Sequence, residues 1–227
     1  MGIPANYSRE LPERCLHLIE TLLPSVDSIS FPGQESIGPL TTTFLLALAT
    51  PMIVLPIERV ERHRGKHFEG YVDERPLDPQ LTALIDGELG GRALRHSSFF
   101  APSEWRFTRL PHQPGQNLAR YFPHELSAEL AKPEAETRAS TMAASEWASC
   151  LRNALAHGGI AYLDAGGFQK YGMKAEKLAF ISGKFGEDVQ TPEFLKVLCI
   201  SENDFLAFIR RWVSWLAATG LSLDLAA

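Results

Sequence analysis

Residues 146–164, EWASCLRNALAHGGIAYLD, decide how the chain is read. Trp147, Cys150, Leu151, Ala154 and Leu155 recur at helical spacing, which predicts an amphipathic helix with one apolar stripe. The Gly158-Gly159 pair predicts its end. Directly before that stop stand Arg152, Asn153 and His157, polar residues on the last turns of a helix otherwise built for burial. Asn153 and His157 are four apart and share a face, and Arg152 lies on its shoulder, where a long guanidinium can swing toward the same anion. Imidazole exchanges protons near neutral pH, so His157 can act as a general acid or base. A permanent positive charge beside it suits a phosphate. Together the residues have the chemistry of RNA cleavage.

The string RNALAHGG resembles the Arg-x4-6-His motif of the HEPN superfamily, the helical domains of many prokaryotic toxins and defence proteins. The resemblance implies a metal-independent endoribonuclease without a cofactor, in which the 2′-hydroxyl attacks the adjacent phosphate and Arg152, His157 and Asn153 form the catalytic set. It also implies a homodimer, because in that superfamily the motif helices of two subunits commonly face each other. A toxin of this type would have an antitoxin partner. Some HEPN domains are inactive, so the alternative is a non-catalytic binding or regulatory module that pairs with a nuclease or nucleotidyltransferase. A third possibility is that Arg152 and His157 are end-of-helix cations facing the last carbonyls. Downstream the likeness is weaker, over residues 158–216, and the N-terminal half matches only in being helical.

Two other stretches meet the same spacing, RHRGKH at residues 62–67 and RFTRLPH at residues 106–112. Gly65 interrupts the first, Pro111 precedes the histidine of the second, and neither carries an apolar helical stripe.

The 227 residues fit a single domain spanning 1–227, with an irregular, loop-rich segment at about 98–136. A net charge of -5 excludes a whole-protein attraction to nucleic acid, though not a cleft with local positive charge. Cys15, Cys150 and Cys199 show no CxxC spacing, which fits a reduced cytoplasm and supports neither a disulfide framework nor a zinc site. No basic region followed by an apolar run opens the chain, so a cytoplasmic location is expected. Residues 37–57, IGPLTTTFLLALATPMIVLPI, are uncharged and about long enough to span a bilayer. Pro51 and Pro56 argue instead for two core helices or a kinked one, with no membrane role.

Along the chain, residues 11–23 predict an amphipathic helix stopping before Pro24, and a helix from residue 40 to about 49 resumes after Pro51 toward Arg62. The basic run at residues 59–66 reads as a solvated helix end, and His63 and His67, although four apart, lack the acidic or Cys partner that zinc needs. Residues 78–97 predict a helix weakened at Gly90-Gly91. Residues 99–132 read as irregular, with a short helix at 124–131. Trp105, Phe107, Tyr121 and Phe122 suit base stacking, but such residues more often anchor a loop to a core. The motif helix is expected to start between residues 137 and 141. Residues 162–171 form a glycine-containing loop without a phosphate-binding pattern. Residues 177–183 and 194–200 predict a hairpin, and SEND at 201–204 caps a last helix with a broad apolar face. The expected fold is mainly α, a single antiparallel helical bundle with a small β-hairpin before the C-terminal helix.

Overall fold

A computed structural model describes residues 10–29, 33, 38–64, 87–185 and 192–218. In chain order the elements are α1 (Glu10–Asp27), α2 (Thr41–Arg64), β1 (Arg106–Pro111), α3 (His124–Ala131), α4 (Pro133–Thr141), α5 (Ala144–His157), β2 (Ile160–Leu163), β3 (Lys177–Phe185), β4 (Pro192–Ser201) and α6 (Glu202–Ala218). The strands make one sheet in the order β1-β4-β3-β2, with every neighbouring pair antiparallel. The fold is therefore mixed α/β, and the expected mainly α antiparallel bundle with only a small hairpin is wrong. The hairpin foreseen before the last helix is the centre of this sheet, as β3 and β4.

The two outer strands escaped notice for a physical reason. Side chains alternate across a strand, so a half-exposed strand betrays itself by alternating polarity. Here both faces of the sheet carry buried apolar residues. Leu178, Phe180, Leu198 and Ile200 pack toward α1, α2, α5 and α6, while Ala161, Leu163, Ala179, Val197 and Cys199 pack toward Leu118, Phe122, Leu126 and Leu130 around α3. In β1, the consecutive Phe107 and Thr108 are both buried, which erases the period. β2 has only 4 residues.

Trp147 of α5 lies at the centre of the larger core, with ring centroids 5.3 Å from Phe99, 5.4 Å from Trp105 and 5.4 Å from Phe208. Trp105, Phe107 and Phe122 are buried anchors; Tyr121 is exposed.

Helix α2 runs unbroken through Pro51 and Pro56, where a break or resumption was expected. Each proline removes the N–H that would reach the carbonyl four residues back. For Pro51 that carbonyl belongs to the exposed Ala47, which water can serve. For Pro56 it belongs to the fully buried Met52, and the Trp212 indole Nε1–H of α6 donates to it at 2.9 Å. Thr42 likewise bonds Glu202, so α2 and α6 run parallel, with the two contacts ten residues apart along each helix. Among the described residues α2 is the one helix long and apolar enough to cross a membrane, over Thr41–Glu58, and 50% of that window is buried inside the fold.

Other boundaries also moved. α1 continues past Pro24 to Asp27. The helix expected at 78–97 is helical at residues 87–89, bends at Gly90 to Arg92, and gives way to a 3-10 turn at Leu94–His96. Residues 78–86, His67 and the side chains of the basic run lie outside the described residues.

Candidate functional site

Helix α5 starts at Ala144, later than expected, because α4 is a separate helix ending at Thr141. Ala143 offers no capping side chain. The backbone serves instead: Ala144 N donates to Arg92 O at 2.9 Å and Ser145 N to Gly90 O at 3.0 Å. The Gly90-Gly91 interruption thus supplies a cap for the motif helix. At the other end Gly158 adopts φ 71° and its N–H returns to Ala154 O, a left-handed stop that glycine takes without strain. Gly159 lies flat on the sheet: Ile181 N donates to its carbonyl at 2.7 Å. A Cβ built at Gly159 would press into the Ile181 carbonyl oxygen.

The three polar residues of the motif take different directions. A helix turns about 100° per residue, so Arg152 and His157, five apart, are separated by about 140° around the axis. Arg152 points to α2, where its Nη1 lies 3.1 Å from Glu58 Oε1. Asn153 points to the sheet, and its Nδ2 donates to Ser182 Oγ at 3.3 Å. His157 is exposed at the last helical position, on the Asn153 side. The convergence expected of one chain's Arg152, Asn153 and His157 is therefore not formed: Arg152 is tied to Glu58, Asn153 to Ser182, and His157 is exposed at the helix end.

The sequence did not point to Glu58, Ser182, Glu146, Lys196 or Arg109. Glu146 opens the same helix and joins the sheet through Arg109 Nη2, at 2.7 and 2.6 Å, and Lys196 Nζ, at 3.0 Å. Burial opposes ionisation of Glu146, but the hydrogen bond and charge of Lys196, and then those of Arg109, outweigh it and hold the carboxyl below its usual range. The usable signal was Lys196 itself, a lone cation inside the apolar strand FLKVLCI. Cys150 is packed beneath the helix near the Phe180 and Lys196 carbonyls, and burial pushes its thiol up to about 12. Of the two decoys, Arg106 to His112 runs along β1 with its histidine just past the strand end, and Arg106 is bound to Glu136 at 2.6 Å. The end of Arg62 to His67 lies outside the described residues. Among the described residues no cluster of His, Cys, Asp or Glu has the grouping of a metal site.

No protein-family model, curated protein or solved structure matches the chain.

Proposed function

We propose that the chain is a cytoplasmic, metal-independent endoribonuclease of the HEPN type, acting as a toxin or defence effector on RNA. The observation that supports it is the end of α5: an exposed imidazole at His157 beside a left-handed glycine, with Asn153 on the same side and a guanidinium, Arg152, less than two turns back. His157 exchanges a proton with the 2′-hydroxyl or the leaving oxygen, Arg152 stabilises the charge developing on the phosphate, and Asn153 orients the group it bonds.

Because Arg152 and His157 diverge around one helix, the site is composite. A second copy pairing on α5 through a two-fold axis brings two Arg152 and two His157 residues to one cleft. The outward stripe between Arg152 and Asn153 carries the small residues Ser149 and Ala156, which allow close approach of a partner helix. Sedimentation at micromolar concentration tests this: a strict monomer refutes the composite site.

The Arg152 to Glu58 ion pair favours a second reading, in which the arginine is a tie between helices and the chain is a non-catalytic partner of a nuclease or nucleotidyltransferase. Incubating wild-type, Arg152→Ala and His157→Ala proteins with total RNA in EDTA separates the two. Cleavage by the wild type and by neither variant is the expected result; intact RNA in all three samples transfers the weight to the partner module.

A further inference from the structure

Beyond the motif itself, the sheet carries a second polar surface that the motif helix borders. α5 crosses the sheet at an angle to its strands: Glu146 sits over Arg109 and Lys196, Cys150 over the Phe180 and Lys196 carbonyls, and Asn153 over Ser182. The strand register makes these sheet residues one continuous cross-strand row, since Arg109 pairs with Lys196 and Lys196 with Ser182. One step outward along the same face Lys184 pairs with Phe194. That row is not covered by α5.

The two rows together set cations around an aromatic ring. Arg109 Cζ lies 5.6 Å from the Phe107 ring centroid and 5.5 Å from that of Phe194, and Lys184 Nζ lies 5.4 Å from Phe194. Phe194 is a half-buried ring flanked by two cations. Among the described residues Glu146, already shared by Arg109 and Lys196, is the carboxylate on this face, whereas Glu193 falls on the opposite face of β4. Among the described residues, three cations stand against one carboxylate on this face, a local excess of positive charge in a protein of net charge -5. The helix that borders the row ends at His157.

Cations on sheet residues interleaved with an accessible aromatic ring are the elements that hold single-stranded nucleic acid: the charges track phosphates, and the ring offers a face to a base. We infer that the face formed by Arg109, Lys184, Lys196 and Phe194 holds a single-stranded segment of RNA and leads it along α5 to His157. The inference rests on the nuclease reading for the identity of the strand, and it assigns substrate recognition to a surface that the motif does not include. Lys184 leaves the Phe194 ring for a phosphate and so frees a ring face for a base, Arg109 takes a second phosphate, and Glu146 with Lys196 keeps Arg109 in place.

The test is fluorescence anisotropy with a labelled single-stranded RNA about a dozen nucleotides long, carrying 2′-O-methyl groups so that no cleavage follows, titrated at several salt concentrations. Lys184→Gln is expected to reduce the log-log salt slope by about 0.7, the loss of one single-strand phosphate contact. Phe194→Ala is expected to weaken binding roughly tenfold. Glu193→Gln, on the opposite face, leaves the slope unchanged. Failure of the wild type to bind, or wild-type affinity and slope in Lys184→Gln, overturns the inference. Tight binding that depends on Lys184, together with intact cleavable RNA, upholds this surface and sinks the nuclease reading instead.

Discussion

The hydrogen bond from Trp212 to the Met52 carbonyl replaces a donor that Pro56 removed, and this substitution of one donor for another can be measured. Trp212→Phe keeps an aromatic ring in the core but deletes the indole N–H, leaving a fully buried carbonyl with no donor. An orphaned buried acceptor costs about 1–3 kcal/mol. The smaller ring also loses packing against Phe99 and Trp215, whose centroids lie 5.1 and 4.9 Å away, for about 1–2 kcal/mol more. Pro56→Ala returns an N–H to the Met52 carbonyl from within α2. In that background Trp212→Phe should cost only the packing part, so a double-mutant cycle by urea unfolding should give a coupling of about 1–3 kcal/mol. Additivity within about 0.5 kcal/mol would refute the reasoning, because it would mean that the two residues do not serve the same carbonyl.

Three further outcomes follow from named contacts. Gly159→Ala should destabilise by about 2–3 kcal/mol, since its methyl displaces the Ile181 carbonyl and strains a 2.7 Å hydrogen bond, whereas Gly158→Ala, with open space around it, should cost about 1 kcal/mol for its positive φ; equal urea midpoints would contradict this. Cys150, with its thiol held near 12, Cys199, near 11, and the raised Cys15 should all resist a thiol-specific disulfide reagent in the native protein and react together on unfolding. Glu146 has its folded pKa depressed, so its ion pairs contribute stability above the ordinary carboxylate range and lose it as pH falls below that range. The stability gap between wild type and Glu146→Gln should therefore be constant above about pH 5 and shrink toward pH 3, as thermal unfolding would record.

Helical content was legible wherever one face was apolar and the other wet. α1, α6 and the short α3 were all foreseen, α3 with both of its ends, and Ser201 caps α6 as expected, accepting from Asp204 N at 3.0 Å. α2 was legible as a core helix but not as an unbroken one, because the donor that rescues Pro56 comes from Trp212, 156 positions later in the chain. No local pattern encodes that contact. The sheet was half legible: β3 and β4 carry β-branched and apolar runs, but β1 is buried on both faces at Phe107 and Thr108 and reads as loop among prolines. For the candidate site, the sequence placed Asn153 and His157 on one side of a helix, and the structure keeps them there. It missed that Arg152 turns to Glu58, since helical spacing reports angle within a helix and not the neighbour that claims a side chain.

The most direct test of the proposed activity uses a defined single-stranded RNA, EDTA, and the wild-type and His157→Ala proteins, with end-group analysis of the products. Fragments ending in 2′,3′-cyclic phosphate and beginning with 5′-hydroxyl are expected from the wild type, with none from His157→Ala. Intact RNA with the wild-type protein, fragments bearing 5′-phosphate, or equal cleavage by His157→Ala would contradict it.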